Sequence, residues 1–204
     1  MRFVPKFLLS AMSPDHFPTA AKTGNAPEVA FLGRSNVGKS SLLNKLVGSA
    51  EAKVSSTPGR TRAINFFALY SGTPQKHTAI PALVFADLPG YGYAKISRSI
   101  SAEWPSFIEP YINEREQLAL CICLVDTNIP PQESDTLLIT ALQQMQRPFL
   151  VVGTKSDRLS NNQLNNSLRA LVQAHQVERV LAVSAKTEHG IKKLWQDIIE
   201  TTQA

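Results

Sequence analysis

The segment running from Glu28 to Val47 constrains this chain more than any other part of it. Its central eight residues, Gly33-Arg34-Ser35-Asn36-Val37-Gly38-Lys39-Ser40, fit the pattern GxxxxGK[ST]. An apolar β-type run, Val29-Ala30-Phe31-Leu32, precedes them, and Leu42, Leu43 and Leu46 follow at helical spacing. Strand, glycine-bounded loop and helix, in that order, make a cradle for phosphate groups. Gly33 and Gly38 permit backbone conformations that a Cβ resists, so consecutive N–H groups of the loop can turn inward. The helix that starts near Gly38 adds free N–H groups and a partial positive charge. Lys39 can reach β- and γ-phosphates, and the Ser40 hydroxyl can ligate Mg2+.

A strand feeding a helix at this point predicts an α/β domain, and the rest of the chain repeats the unit. Strand-like runs fall at 29–32, 63–70, 82–86, 118–125, 149–152 and 180–183. Helix-like runs fall at 39–47, 100–115, 132–146, 161–173 and 190–201. Two strands come consecutively across Ser71-Gly72-Thr73-Pro74, which predicts one antiparallel edge strand on an otherwise parallel, six-stranded, doubly wound sheet with helices on both faces. Residues 1–27, with Pro5, Pro14, Pro18 and Pro27, read as an extended or irregular N-terminal extension to a single domain over 28–204. In the 100–115 run, Trp104, Phe107, Ile108, Tyr111 and Ile112 form one apolar stripe that reads as core-facing.

Bulk properties narrow the setting. The 204 residues are enough for one ordinary domain, and 43% hydrophobic with 18% charged content is globular. No run approaches the roughly 18–20 apolar residues of a membrane span, so no membrane partner is expected. Pro5 and Lys6 interrupt the apolar start, which argues against a secretion leader. Cys121 and Cys123 share one face of one strand and are poorly placed to bridge each other, so buried free thiols in a reducing cytoplasm are expected. The net charge of +5 suits a polyanion partner without demanding one.

Three further motifs follow the loop. Asp87-Leu88-Pro89-Gly90 ends a strand, fifty-four residues after Gly33. An acidic residue there can hold Mg2+ through a water, and the Gly90 N–H can meet a γ-phosphate. Thr154-Lys155-Ser156-Asp157 ends the 149–152 strand. The Asp157 carboxylate can accept two hydrogen bonds from guanine, a pair that adenine lacks on that edge, and Lys155 can lay its stem over the base. Val183, Ser184 and Ala185 end the next strand, where the Ala185 N–H can read the guanine carbonyl. Between the first two motifs, residues 55–62 are polar and contain Pro58 and Gly59. A threonine there, Thr57 or Thr61, can complete a Mg2+ shell when a γ-phosphate is bound, and chemistry alone does not choose between them.

In this order the motifs resemble the Ras-like P-loop GTPases. The wording GRSNVGKSSLLN, TPGRTRAINFF, DLPGYGYA and TKSD resembles more narrowly the EngB family (also called YihA or YsxC), bacterial GTPases of ribosome assembly, across most of the chain. The resemblance implies a first switch of Gly59, Arg60, Thr61, Arg62 and Ala63, with Thr61 rather than Thr57 joining Ser40 on Mg2+. It implies a second switch opening at Asp87, Leu88, Pro89 and Gly90. The base falls to Thr154, Lys155, Ser156 and Asp157, with Val183, Ser184 and Ala185 closing over it. Lys39, Thr61 and Asn36 are the expected catalytic set. Asn36 enters because related GTPases use an asparagine here to hold K+. Two departures matter. Thr154 replaces the usual asparagine, which predicts modest nucleotide affinity. Tyr91 replaces the glutamine that orients the attacking water in many GTPases, which predicts slow hydrolysis.

The implied protein is a cytoplasmic, monomeric GTP/GDP switch. It acts on a precursor of the large ribosomal subunit and its rRNA, and it is needed for normal growth and division. Arg60, Arg62, Lys95 and Arg98, in or beside the switches, suit contact with RNA phosphates. A nucleotide kinase is the contrasting reading; Asp157 and the lack of an arginine-rich lid speak against it. A GTPase of cell division or membrane processes with no ribosome contact is the other.

Overall fold

Near-continuous apolar runs let each central strand bury both faces, and that requirement organises the molecule. The computed structural model describes residues 3–48, 63–73, 76–91 and 106–203. Eight strands form one sheet: β1 (Phe3–Ala11), β2 (Glu28–Gly33), β3 (Ile64–Thr73), β4 (Lys76–His77), β5 (Leu83–Asp87), β6 (Leu118–Asp126), β7 (Phe149–Thr154) and β8 (Leu181–Ala182). The helices are α1 (Ala20–Thr23), α2 (Lys39–Val47), α3 (Ile108–Glu114), α4 (Glu133–Gln144), α5 (Asn161–His175) and α6 (Ile191–Thr202). The strand order is β1-β3-β5-β2-β6-β7-β8, with β4 paired to β3. From β5 to β8 all pairings are parallel, whereas β3 runs against both β1 and β5.

All six expected strands form, and two more join them. Within residues 1–27 the chain is extended over Phe3–Ala11, where it forms a strand that the sequence did not mark out. There β1 pairs with β3 from Phe3 opposite Ser71 to Ala11 opposite Ile64, with a register shift between Phe7 and Leu9. The antiparallel strand is therefore not the edge, because β1 covers it. Pro5 obscures this in the sequence, yet an edge strand tolerates proline because only one of its sides must supply ladder donors.

The pleat sorts the core. Ala30 and Leu32 of β2 face one cluster with Cys121 and Cys123, closed by Tyr111 and Ile112 of α3, Leu138 and Leu142 of α4 and Leu171 of α5. Val29 and Phe31 face the other, closed by Leu42 and Leu46 of α2 and Leu194 and Ile198 of α6. Helices thus cover both faces, as expected. Phe107, Ile108, Tyr111 and Ile112 of the predicted stripe are buried in the core; Trp104 lies outside the described residues. Cys121 and Cys123 are free and buried, and burial pushes the Cys121 thiol up to about 12.

Residues 14–18 are pinned at the far end of the sheet. Glu28, fully buried, accepts from Tyr111 Oη at 2.9 Å and from Arg115 Nε at 3.1 Å. Arg115 Nη2 also donates to the Pro18 carbonyl at 2.7 Å, and Phe17 packs edge-on to Tyr111 with centroids 5.3 Å apart. Every charge in this buried set has a partner, which is the condition for keeping it there.

Candidate functional site

The end of β2 delivers the chain into the glycine-bounded loop, and the two glycines do different work. Gly38 sits at φ +104°, in the left-handed region open to glycine. Gly33 is needed for space: a Cβ there would lie 2.9 Å from Val37 Cγ1 and 3.0 Å from Leu124 Cβ. Asn36 also adopts a positive φ, +63°, as asparagine tolerates. No side chain caps α2 at Gly38, so the N–H groups of its first turn stay open towards the loop.

Parallel pairing sets β5 beside β2 and brings Asp87 level with Phe31. Lys39 Nζ forms an ion pair with Asp87 Oδ1, whose residue is 1% exposed. The Leu88 N–H donates to Phe31 O at 3.2 Å, and the Ser35 N–H to Tyr91 O at 3.0 Å. Gly90 lies so close to the loop that a Cβ would stand 3.0 Å from Ser35 Oγ. The loop and Asp87-Leu88-Pro89-Gly90 are therefore one layer, in which Lys39 is paired with the buried Asp87 carboxylate. Lys39 could meet phosphates in such a layer, and the oxygens of Asp87 and Ser40 are of the kind that suits Mg2+. Among the described residues no group of three His, Cys, Asp or Glu side chains forms an all-protein cage. A Mg2+ held here would complete its shell with phosphate oxygens and water, as this ion ordinarily does.

Beside this layer lies a cleft of about 340 Å³, lined by Gly38, Leu42, Thr154, Lys155, Asp157, Val183 and Ala185 among others. Thr154 Oγ1 lies 2.6 Å from Val37 O and 3.1 Å from Val125 O, tying β7 to the phosphate loop. Lys155, at φ +59°, donates from Nζ to Asn36 O at 2.8 Å and to Asp126 Oδ2 at 2.6 Å. Burial opposes ionisation of Asp126, but bonds from Lys155 and Asn128 outweigh it and hold the carboxyl below its usual range. Asn128 Nδ2 also donates to Lys155 O at 3.1 Å. The Ser156 N–H is spent on Val183 O at 3.2 Å. Ser184 Oγ donates to Asp157 Oδ1 at 2.6 Å while accepting from the Lys186 and Thr187 N–H groups at 3.2 and 3.1 Å. Its one hydrogen is thereby committed to Asp157, and that bond holds the Asp157 carboxyl below the ordinary range.

Comparison with known proteins matches this architecture. A family model described as a 50S ribosome-binding GTPase fits residues 28–155. The chain is 60% identical over 198 residues to the probable GTP-binding protein EngB of Acidobacterium capsulatum, covering 97% of this chain and 90% of that one. It is 52% identical over 201 residues to the probable EngB of Koribacter versatilis, covering 98% and 95%. The chain belongs to the EngB family of GTP-binding proteins.

Its fold is like that of solved structures. A crystal structure of a probable GTP-binding protein engB superposes with a TM-score of 0.64 at 20% identity, over 86% of this chain and 98% of that one. Aquifex aeolicus Era bound to GDP.AlF4- superposes with a TM-score of 0.66 at 21% identity, over 86% and 56%. As an EngB-family GTPase the chain binds guanine nucleotide and hydrolyses GTP.

Within this EngB-family domain the expected residues fall as follows. Gly33, Arg34, Ser35, Asn36, Val37, Gly38, Lys39 and Ser40 form the loop and helix start, with Asp87, Leu88, Pro89 and Gly90 against them. Thr154, Lys155 and Asp157 share the cleft with Val183 and Ala185, whereas Ser184 acts on Asp157. Ala63 is buried just before β3. Thr57, Gly59, Arg60, Thr61, Arg62, Lys95 and Arg98 lie outside the described residues. Asp157 is exposed. Thr154, expected to cost a hydrogen bond, spends its hydroxyl on the phosphate loop. Sequence reasoning missed Asp126 and Asn128, which orient Lys155 from another strand end, and Asp135, which binds Tyr91. None belongs to a spaced motif.

Proposed function

We propose that this EngB-family GTPase is a slow switch in assembly of the large ribosomal subunit, required for normal growth and division. The supporting observation is the direct contact of Asp87-Leu88-Pro89-Gly90 with the loop that carries Lys39, a junction a γ-phosphate would bridge. Ser40 and Thr61 would hold Mg2+, which would neutralise phosphate charge; Asp87 would hold it through water. The backbone N–H groups of the loop and of α2 would orient the phosphates. Lys39 would leave Asp87 for the β- and γ-oxygens, and Asp157 would choose guanine. With GTP, Gly59–Ala63 would join the Asp87 segment to form a surface for the subunit precursor; hydrolysis would release it.

Hydrolysis is slow in this reading because Tyr91 stands where a carboxamide would orient water, and its hydroxyl is committed to Asp135 at 2.9 Å. The exposed side chain of Asn36, at the loop tip, would hold K+ beside the phosphates. Turnover in KCl is expected to exceed that in NaCl, with the difference lost in Asn36→Ala. Equal rates in the two salts would remove the cation from the reading.

The ribosomal role draws support from the family description and from the basic balance of the chain, +5. A cytoplasmic monomer is the form proposed, and among the described residues no helix is long and apolar enough to cross a membrane. Sedimentation of lysate with a GTP analogue or with GDP tests the whole proposal. Co-migration with large-subunit particles in the triphosphate state alone is the expected outcome; no co-migration in either state would leave a GTPase acting elsewhere.

A further inference from the structure

Behind the nucleotide layer, and absent from the phosphate and base contacts, lies a buried carboxylate. Asp135 sits in the first turn of α4 and is 3% exposed. It accepts from Tyr91 Oη at 2.9 Å through Oδ1, while Oδ2 faces Arg34 Nε at 3.7 Å. Arg34 Nε is buried and makes no hydrogen bond among the described residues, where this ionic approach meets it. The other end of the guanidinium, Nη1, donates to Gln132 Oε1 at 3.1 Å, just before the same helix. The two residues gathered by Asp135 are also joined to each other. Arg34 and Tyr91 form a backbone bridge, and the Ser35 N–H donates to Tyr91 O at 3.0 Å.

One side chain therefore holds both halves of the phosphate layer: the loop through Arg34, and the Asp87-Leu88-Pro89-Gly90 turn through Tyr91. Its value is not stability. Burial pushes Asp135 up to about 6 despite the Tyr91 bond and the Arg34 charge, so its partners do not repay its desolvation. What it supplies is geometry, one residue beyond Gly90.

We propose that Asp135 is a positioning residue for the γ-phosphate: through Tyr91 and Arg34 it presets the Gly90 N–H against the phosphate loop. This rests on the reading that Gly90 meets the γ-phosphate. A triphosphate then binds a turn already in place, whereas a diphosphate makes no use of it, so the latch favours GTP over GDP.

Calorimetric titration of the full chain with GDP and with a non-hydrolysable GTP analogue, both with Mg2+, tests this. In Tyr91→Phe and in Asp135→Ala, affinity for the analogue is expected to fall about tenfold, the scale of one lost hydrogen bond to a charged group. Affinity for GDP should change less than twofold, and the double variant should be no worse than the weaker single variant. If Asp135→Ala fails to fold, Tyr91→Phe, which removes one oxygen atom, carries the test. A merely structural role would lower the unfolding midpoint and leave the affinity ratio unchanged. An unchanged ratio, or equal losses for both nucleotides, overturns the proposal. Gly90→Ala separates the two ideas. A lowered ratio there with none in Tyr91→Phe overturns the latch alone; an unchanged ratio there overturns both latch and γ-phosphate contact.

Discussion

Asp157 and Asp135 are carboxylates shifted in opposite directions, and each shift is a measurable property of its surroundings. At Asp157 the Ser184 hydroxyl favours the ionised form, the form that would accept both guanine donors in the proposed role. In Ser184→Ala that carboxyl should titrate higher. GDP affinity should fall about fivefold at neutral pH, through lost orientation, and decline further below pH 5, where the parent chain still binds. Fluorescence titration with labelled GDP across pH reads both effects; parallel pH profiles for the two proteins would refute the role of Ser184. At Asp135 burial favours the neutral form. The folded state then binds a proton more tightly than the unfolded chain, so stability contributed at this site falls as pH rises from about 4 towards 6 and stays low above that. Urea unfolding should show Asp135→Asn gaining on the parent chain by about 1 kcal/mol between pH 5 and pH 7. A gap that does not move with pH would mean that Asp135 ionises as freely folded as unfolded.

Elements with a strong local period were legible. The 3.6-residue stripes of α2 and α6 and the apolar runs of β2, β6 and β7 are set by local chemistry, and they form close to where the sequence predicts. β1 was not legible. A strand at an edge needs little hydrophobic continuity, and Pro5 reads as a breaker until a partner strand is known. Only β3, more than fifty residues later in the chain, makes Phe3–Ala11 a strand. The same holds for the segment that follows β1. Residues 14–18 stay on the body because Arg115, just beyond α3, bonds both Glu28 and Pro18. Arg115→Ala should leave Glu28 as an unpaired buried charge and cost about 3–5 kcal/mol in urea unfolding. A loss below about 1 kcal/mol would show that water reaches Glu28 in the folded protein.

For the whole molecule, net charge and topology act together. A surplus of +5 is modest, and RNA binding through it would be strongly salt-dependent because phosphate contacts release counterions. Binding of the GTP-loaded protein to large-subunit particles should weaken linearly in a plot of log affinity against log KCl; a flat plot would point to protein rather than RNA contacts. By itself the sequence determined the phosphate loop, the guanine motif and the α/β class, because each rests on residues within a few positions of one another, and short-range geometry is encoded locally. Only the tertiary structure decided which groups support them. Asp126 reaches Lys155 across 29 positions, Asp135 reaches Tyr91 across 44, and Glu28 reaches Arg115 across 87. Such pairs have no spacing to recognise, because the parallel sheet, rather than chain proximity, brings residues of separate elements together at the two ends of its strands.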